Sequence, residues 1–382
     1  MPKIAPAAES MPRSGIRRVM DAAWKLNVPV IGLHVGEPSF VPPDHVIEAA
    51  RQAYAAGDTH YVPNAGVKEL REALATKIST RNGFPVDPEQ IVVTAGGVQA
   101  LHVALSLGVS AGDEVLIPDP GWPNYAMAVT LLQATPVRYP LDHARGFLPQ
   151  PDEMDSLVTG RTRMIIVNTP SNPLGTVMPA ETVEALVRFA DRHDIWLLSD
   201  ECYDALTFDA AHVSPGIFDR EQRVLSAFSF SKTYAMTGIR VGYLAAPEGV
   251  AETAAKLQET LISCVNAPAQ AAALAALRGP QEPVSAMRDT YVERRQAAMD
   301  ALDAAGLRYL RPQGAFYLWL DVSDRCGDSV TDWAMKLLEE QHVAVAPGTA
   351  FGTVGEGWVR LSLAADTDQL LEGIRRISMV SS

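Results

Sequence analysis

Short apolar segments that end in polar or turn residues recur along the first two thirds of the chain. They are rich in β-branched residues and have the length of buried strands. Between them lie longer segments with apolar residues at helical spacing, such as 98–108 and 181–193. This alternation predicts an α/β fold, in which helices sandwich a mostly parallel sheet. The predicted strands are Ile91–Thr94, Glu114–Ile117, Met164–Asn168, Ile195–Ser199 and Val224–Phe228.

The pattern changes after about residue 275. A long charged helix is predicted over 284–305, alternating apolar residues over 314–321, and another helix near 328–341. This order is typical of a smaller α+β unit. The proline-rich first 45 residues do not fit the sheet pattern, and we expect them to pack with this unit. The predicted domains are a large one at 46–275 and a small one formed by 1–45 together with 276–382.

Composition and charge narrow the possible classes of protein. The net charge of −13 over 382 residues argues against a nucleic-acid partner. Three widely spaced cysteines show no paired metal spacing, and their low number is typical of a reducing compartment. The first residues lack the apolar core of a secretory signal, and no apolar run approaches the roughly 18 residues that span a bilayer. The chain is therefore expected to be cytoplasmic, with no membrane partner.

The segment from Ser229 to Gly242 follows a predicted strand and carries the strongest chemical pattern. The amine of Lys232 can condense with a carbonyl group if its surroundings keep part of it neutral. Ser229 and Ser231 flank it with hydroxyls, and Arg240 offers a planar fork that suits phosphate. Together these groups suit a phosphorylated aldehyde. The alternative is an ordinary solvated lysine after a strand.

Polar residues also close two other predicted strands. Asp200 could bind a protonated pyridine nitrogen, and Tyr203 could donate to the phenolate oxygen of the same ring. Asn172, held in an extended backbone by Pro173, could reach that oxygen and a substrate carboxylate. The alternatives are a helix N-cap for Asp200 and a simple Asn-Pro turn for Asn172.

Three further sites complete the pattern. Gly97 and Val98 join a strand to a helix, where backbone amides can approach a phosphate. Trp122 follows another strand and could stack on a flat ring, although most tryptophans only pack. Arg360 lies inside an apolar, strand-like run, where its partner could be a substrate carboxylate or an internal carboxylate.

These segments, in this order, resemble the fold-type-I pyridoxal-phosphate enzymes, specifically the aspartate aminotransferase-like branch of the class I and II aminotransferases. The resemblance extends from Val35-Gly36-Glu37-Pro38 to Arg360. It implies pyridoxal 5'-phosphate as cofactor, no metal, and a homodimer with shared active sites. The implied catalytic residues are Lys232, Asp200 and Tyr203. The implied cofactor contacts are these three with Gly97, Val98, Trp122, Asn172, Ser229, Ser231, Arg240 and Tyr61 of the partner subunit. The implied contacts of the substrate carboxylate are Gly36, Asn172 and Arg360.

The resemblance also implies a reaction. An amino group passes from an L-amino acid to a 2-oxo acid in two half-reactions, through an aldimine on Lys232. Where one branch of the family has a lysine for dicarboxylic substrates, this chain has Val98, and the segment 261–266 lacks the arginine of another branch. The expected substrate is therefore neutral or apolar, unless Arg17 or Arg18 supplies the cation.

Two alternative functions remain at this stage. Relatives with the same lysine, aspartate and arginine catalyse β-elimination or cyclisation of modified amino acids. Folds of this kind also serve as sensing modules of transcription factors behind an N-terminal DNA-binding domain. The segment around Gly36 begins too early to leave room for such a domain, which favours an enzyme.

Overall fold

The computed structural model describes residues 2–9, 11–12 and 14–380. Helices and strands alternate along most of this length. None of the helices in these ranges combines the length and the apolar character needed to cross a bilayer. The helices are α1 (Pro6–Glu9), α2 (Gly15–Lys25), α3 (Asp44–Ala56), α4 (Lys68–Lys77), α5 (Gly97–Gly108), α6 (Pro123–Leu131), α7 (Pro151–Met154), α8 (Ala180–His193), α9 (Phe230–Thr233), α10 (Val250–Ile262), α11 (Ala267–Arg278), α12 (Glu282–Ala304), α13 (Val330–Gln341) and α14 (Thr367–Met379). The strands are β1 (Ile31–Gly32), β2 (Ile91–Thr94), β3 (Glu114–Asp119), β4 (Thr135–Pro140), β5 (Thr162–Asn168), β6 (Trp196–Asp200), β7 (Val224–Ser229), β8 (Gly242–Ala245), β9 (Tyr309–Leu310), β10 (Tyr317–Asp321), β11 (Val343–Ala344), β12 (Ala346–Pro347) and β13 (Trp358–Ser362).

The main sheet has seven strands in the order β2-β8-β7-β6-β5-β3-β4. Its inner strands pair in parallel, and β8 runs antiparallel to both of its neighbours. The predicted mostly parallel sheet is thus confirmed, and all five predicted strands belong to it. The prediction missed β4 and β8. Strand β4 is an edge strand with a proline near each end, and β8 begins with glycine, ends with alanine and contains no β-branched residue, so neither has the usual strand pattern.

Helices cover both faces of this sheet because successive residues of each strand point in opposite directions. In β3, Val115 and Ile117 pack in the same apolar cluster as Val103 of α5. Leu116, which lies between them, packs in the opposite cluster with Phe189 of α8. Burial on both faces explains why the strands read as continuous apolar runs rather than as alternating ones.

A second, antiparallel sheet has the order β12-β13-β10-β9. The N-terminal segment joins this C-terminal region through the parallel pairing of Ile31 with Val343, and helices α12 and α14 pack together beside it. These contacts support the proposed division into a large unit, 46–275, and a small unit formed by 1–45 with 276–382, but both boundaries fall inside helices, α3 and α11, so the units divide near these residues and not at them. Part of the interface between the two regions is apolar, since Trp319 and Phe351 share a cluster with Leu116.

The carboxyl ends of the central strands meet at one edge of the main sheet. The pairing register aligns Asn168 at the end of β5 with Asp200 at the end of β6, and Asp200 with Ala227 of β7. Strand β7 then continues for two residues and leads directly into α9. Ligands of open α/β sheets bind at this edge, so the side chains that follow these strands form the candidate site.

Candidate active site

A cavity of about 310 Å³ lies between this edge of the sheet and the C-terminal region. Among the predicted site residues, only Tyr61 is absent from its lining; this side chain lies on the surface and is 87% exposed. The predicted residues that line the cavity are Gly36, Gly97, Val98, Trp122, Asn172, Asp200, Tyr203, Ser229, Ser231, Lys232, Arg240 and Arg360. The structure therefore brings together residues that are more than 300 positions apart in the chain.

Lys232 lies in the single turn of α9 that follows β7 directly, so its side chain starts at the sheet edge. Its Nζ donates a hydrogen bond to the carbonyl oxygen of Gly36 at 2.6 Å. Burial lowers the pKa of Lys232, and the positive charges of Arg360 and Arg240 act in the same direction. A lowered pKa increases the neutral fraction of the amine, which is the nucleophilic form.

Asp200 is a buried carboxylate with no cationic side chain in salt-bridge contact in the described part of the chain. Its Oδ2 accepts a hydrogen bond from the Tyr125 hydroxyl at 2.7 Å, and its Oδ1 accepts one from the Cys202 amide at 3.2 Å. Burial raises the pKa of Asp200. The residues after it form turns rather than a helix, which removes the helix N-cap interpretation. A buried carboxylate without a counter-ion suits a cationic ligand atom.

An anion cradle lies beside Lys232. The first turn of α5 begins at Gly97, whose neighbour Gly96 has a φ of +84°, and a Cβ on Gly96 would lie 2.6 Å from Nη2 of Arg240. Arg240 donates to the carbonyl oxygens of Thr237 and Ala95, at 2.7 and 3.3 Å, and is exposed. It makes no ion pair with any carboxylate in the described ranges. A helix N-terminus beside an unpaired guanidinium suits a phosphate group.

Arg360 lies in β13 and is only 2% exposed. Its Nη1 donates to Oδ1 of Asn172 at 2.8 Å, and its Nη2 donates to the carbonyl oxygen of His34 at 2.6 Å. Its Nε makes no hydrogen bond and no carboxylate contacts the guanidinium, as far as residues 2–9, 11–12 and 14–380 are concerned. The internal salt bridge considered from the sequence is therefore not present there. A buried guanidinium of this kind is suited to bind a carboxylate ligand.

Two aromatic side chains define the walls of the cavity. The Tyr203 ring is buried, and its hydroxyl lies 2.9 Å from the hydroxyl of Tyr317. Trp122 is partly buried at the start of α6 and contacts Tyr125 edge to face, with 5.6 Å between ring centroids. The Trp122 ring therefore lines the same cavity as the carboxylate that Tyr125 contacts, in a place that allows stacking on a flat ligand.

The polar residues of the cavity lining that sequence reasoning missed include Tyr125, Asn168 and Tyr317. Tyr125 lies in the first turn of α6, three positions after Trp122, which directly precedes that helix, and this short distance in the sequence could have identified it. Asn168 donates to the carbonyl oxygen of Asp200 at 2.9 Å and accepts from the amide of Asn172 at 2.8 Å, so it joins two strand ends. Tyr317 was part of the alternating segment 314–321, and no local pattern distinguishes it from its neighbours.

A wider vestibule opens from the same lysine toward the N-terminal segment. It has a volume of about 880 Å³, and both Lys232 and Gly36 belong to its lining. Its apolar lining residues include Met11, Ile16, Met20 and Met127, and its charged ones include Arg17, Asp21 and Glu37. The vestibule therefore has a mixed lining with no excess of positive charge.

Comparison with known proteins identifies the family. Residues 28–377 match the sequence model of the family described as aminotransferase class I and II. Aspartate aminotransferase of Pyrococcus horikoshii is 38% identical over 368 residues, which cover 96% of this chain and 94% of the relative. Aromatic-amino-acid aminotransferase 2 of Thermococcus litoralis is 38% identical over 372 residues, with coverage of 96% and 95%. The solved structure of Thermus thermophilus aspartate aminotransferase with maleate is 38% identical, has a TM-score of 0.94, and covers 99% of both chains.

The residues of the cavity fit the cofactor of such enzymes. They offer a nucleophilic amine, a buried carboxylate without a counter-ion, and an anion cradle that a Cβ at Gly96 would obstruct. Pyridoxal phosphate carries an aldehyde, a ring nitrogen and a phosphate, one for each of these features. From this site, from the fold and from its relatives, we conclude that the chain belongs to the class I and II aminotransferase family, pyridoxal-phosphate enzymes of fold type I.

Proposed function

We propose that the protein transfers the amino group of a neutral or apolar L-amino acid to a 2-oxo acid, with Lys232 joined covalently to the cofactor in the resting enzyme. The observation that carries this proposal is the arrangement around Lys232. Its amine has a lowered pKa and shares one cavity with a buried carboxylate, Asp200, and a buried guanidinium, Arg360. Neither of these charges has an opposite partner among the described side chains.

The role proposed for each residue follows from its contacts. When bound, pyridoxal phosphate supplies an electron sink for the negative charge that develops at the substrate Cα. Lys232 Nζ, released as a free amine when the amino group of the substrate takes its place, would remove the proton from Cα and deliver it to the cofactor carbon. Asp200 keeps the ring nitrogen protonated. Arg360, Asn172 and the Gly36 amide bind the substrate carboxylate. Tyr203 and Asn172 contact the ring oxygen, Trp122 stacks on the ring, and Gly97, Val98, Ser229, Ser231 and Arg240 bind the phosphate.

The preference for neutral or apolar side chains rests on the apolar side chains of the cavity lining. Val98 stands at the position where one branch of the family has a lysine, and Ile16 and Leu101 line the same space. Beyond them, the methionines of the vestibule offer flexible apolar surface that adapts to different side chains. A substrate carboxylate placed there would lose hydration without gaining a cationic partner, at a cost of several kcal/mol if fully buried.

A second candidate is activity on aspartate. Two observations favour it: Arg17 lines the vestibule, and several relatives are named aspartate aminotransferases. Asp21 and Glu37 line the same vestibule and oppose a second substrate carboxylate electrostatically. We therefore place aspartate behind alanine, leucine, phenylalanine and methionine as the amino donor.

The half-reaction tests both the reaction type and the preference. Each amino acid is added singly to the cofactor-loaded protein, and the absorption spectrum, the 2-oxo acid and ammonia are measured. We expect the pyridoxal absorption to convert to that of pyridoxamine, with one 2-oxo acid formed per site and no ammonia. Conversion by aspartate alone would exclude the apolar preference, whereas release of ammonia would indicate β-elimination. Borohydride reduction followed by peptide mapping should place the cofactor on Lys232.

We also propose a homodimer in which Tyr61 of the partner subunit contacts the phosphate. The side chain of Tyr61 is 87% exposed and does not line the cavity of its own chain, which supports a role in a neighbouring chain. Light scattering should give twice the chain mass of 41.1 kDa. The three cysteines are free, which supports a reducing, cytoplasmic location.

A further inference from the structure

One side chain of the cavity, Tyr317, contacts two groups with different proposed roles. It is buried, with 1% of its surface exposed. Its hydroxyl lies 2.9 Å from the hydroxyl of Tyr203, which we assign to the ring oxygen. The face of its ring lies 4.2 Å from the guanidinium carbon of Arg360, which we assign to the substrate carboxylate.

Strand pairing explains how Tyr317 reaches Arg360. In the antiparallel pair β10–β13, Tyr317 is opposite Ser362 and Trp319 is opposite Arg360. Residues two apart on neighbouring strands share a face and are diagonal neighbours, within reach of long and aromatic side chains. Both side chains therefore point to the cavity side of the small sheet, and the guanidinium lies over the ring, where a cation–π attraction stabilises it.

The position of the Tyr317 hydroxyl depends on Gly36. A Cβ on Gly36 would lie 2.5 Å from the Tyr317 hydroxyl oxygen, so any side chain at residue 36 would displace this hydroxyl from its present position. The carbonyl oxygen of the same Gly36 accepts the hydrogen bond from Lys232. The hydroxyl pair is thus built into the wall that also holds the lysine.

We propose that Tyr317 is a positioning residue that donates its hydroxyl hydrogen to Tyr203 and supports the guanidinium of Arg360 with its ring. This inference rests on the proposed function, because it assumes the roles of Tyr203 and Arg360 given there. It adds a residue that connects the cofactor side of the cavity to the substrate side.

The direction of the hydrogen bond between Tyr203 and Tyr317 follows from the number of hydrogens that the two hydroxyls carry. Burial raises the pKa of both Tyr203 and Tyr317, so each hydroxyl keeps its single hydrogen. If Tyr203 donates its hydrogen to the ring oxygen, it can only accept from Tyr317. A hydroxyl that accepts a hydrogen bond becomes a stronger donor. Tyr317 therefore strengthens the bond from Tyr203 to the cofactor.

The first test replaces only the hydroxyl, in Tyr317→Phe. The measured quantity is the pH midpoint of the absorption change of the bound cofactor, without substrate. A weaker bond from Tyr203 stabilises the anionic ring oxygen less, so this midpoint should rise, by on the order of half a pH unit. Tyr291→Phe is the matched control, because Tyr291 is also buried and its hydroxyl makes no hydrogen bond within the described ranges. It should leave the midpoint unchanged.

The second test asks whether Tyr317 acts through Tyr203. In the double variant Tyr203→Phe/Tyr317→Phe, the midpoint should equal that of Tyr203→Phe alone, because the bond that Tyr317 strengthens is already absent. If the midpoint of the double variant instead shifted by the sum of the two single-variant shifts, Tyr317 would act by another route, and the proposal would be overturned.

The third test examines the ring. The probe is 3-phenylpropanoate, which has a carboxylate and an apolar group but no amine to react. Tyr317→Leu should weaken its binding on the order of tenfold by loss of the cation–π support, whereas Tyr317→Phe keeps the ring and should change binding less than about twofold. Equal affinities of the Leu variant and the wild type would exclude the support of Arg360.

Failure of this inference can be distinguished from failure of the proposed function. If the wild-type protein shows no pH-dependent cofactor absorption and borohydride labels no peptide containing Lys232, the proposed function fails and this inference with it. If the wild type behaves as proposed and Tyr317→Phe matches Tyr291→Phe, only the role of Tyr317 is wrong.

Discussion

Two parts of the cavity lining, the strand ends near Lys232 and the apolar side chains around Val98, are built in different ways. At the sheet edge, Lys232 and Asp200 follow strands whose register is set by continuous backbone pairing, and Asp200 is buried. The other part, which we call the open end, consists of side chains outside the strands: the side chain of Val98, whose backbone we place beside the phosphate, is 48% exposed, and Ile16 belongs to the N-terminal segment. We infer from this difference that the proposed reaction type depends on the buried strand ends, whereas the proposed choice of substrate depends on a few side chains at the open end.

The physical reason is that substitutions in the two parts have different free-energy costs. At the sheet edge, a substitution leaves a buried charge or hydrogen-bonding group without its partner, which is expensive in a low-dielectric site. At the open end, water can solvate a new polar group, so a substitution changes selectivity more than it changes stability. Substitutions at the two ends should therefore differ in both size and kind of effect.

The largest effect is expected for Lys232→Ala. It removes both the covalent link to the cofactor and the base at the substrate Cα, so the rate of the half-reaction should fall about 10³-fold or more. Single-turnover absorbance measures this rate. Lys256→Ala, on the exposed surface of α10, is the control and should retain the wild-type rate. A Lys232→Ala protein that still converts amino acids within tenfold of wild type would refute the assignment.

The second largest effect is expected for Asp200→Asn. The change keeps the size of the side chain and an oxygen for the Tyr125 hydroxyl, but removes the negative charge proposed to hold the ring nitrogen protonated. We expect a loss of about 3 kcal/mol, or roughly a hundredfold in the half-reaction rate. Substitution of the exposed Asp152 by Asn is the charge-matched control. Equal rates for the two variants would contradict the proposed charge pairing.

The same comparison explains what could be predicted from the sequence. Asp200, Asn172 and Lys232 were found because each lies at the end of an apolar strand or within four residues of it, and parallel strands bring such ends together. Tyr317 could not be found, because its role depends on diagonal contact with Arg360 across a sheet and on the small size of Gly36, which lies 281 residues earlier in the chain (317 − 36). Strand β8 was missed because pairing on both sides, rather than its own four residues, makes it a strand.

Val98→Lys tests the open end directly. It introduces a cation where the proposed function attributes the apolar preference to the lack of one. The ratio of kcat/KM for aspartate to kcat/KM for leucine should rise on the order of tenfold, since the site is only partly screened by solvent. Val98→Ala, which removes apolar surface without adding charge, should not raise this ratio. An unchanged ratio in the lysine variant would show that selectivity is decided elsewhere.

The smallest effect is expected for Arg17→Gln. Arg17 is exposed on α2 beside Asp21 and lines the outer vestibule, so its guanidinium is already hydrated and a substrate carboxylate gains little by pairing with it. We expect kcat/KM for phenylalanine and for aspartate to change less than about twofold. Arg18→Gln is the matched control, since Arg18 lies on the same helix but lines a different cavity. Good activity on aspartate that is lost in Arg17→Gln and retained in Arg18→Gln would instead show that this arginine turns inward and supplies the cation, and the open end would then select dicarboxylic substrates.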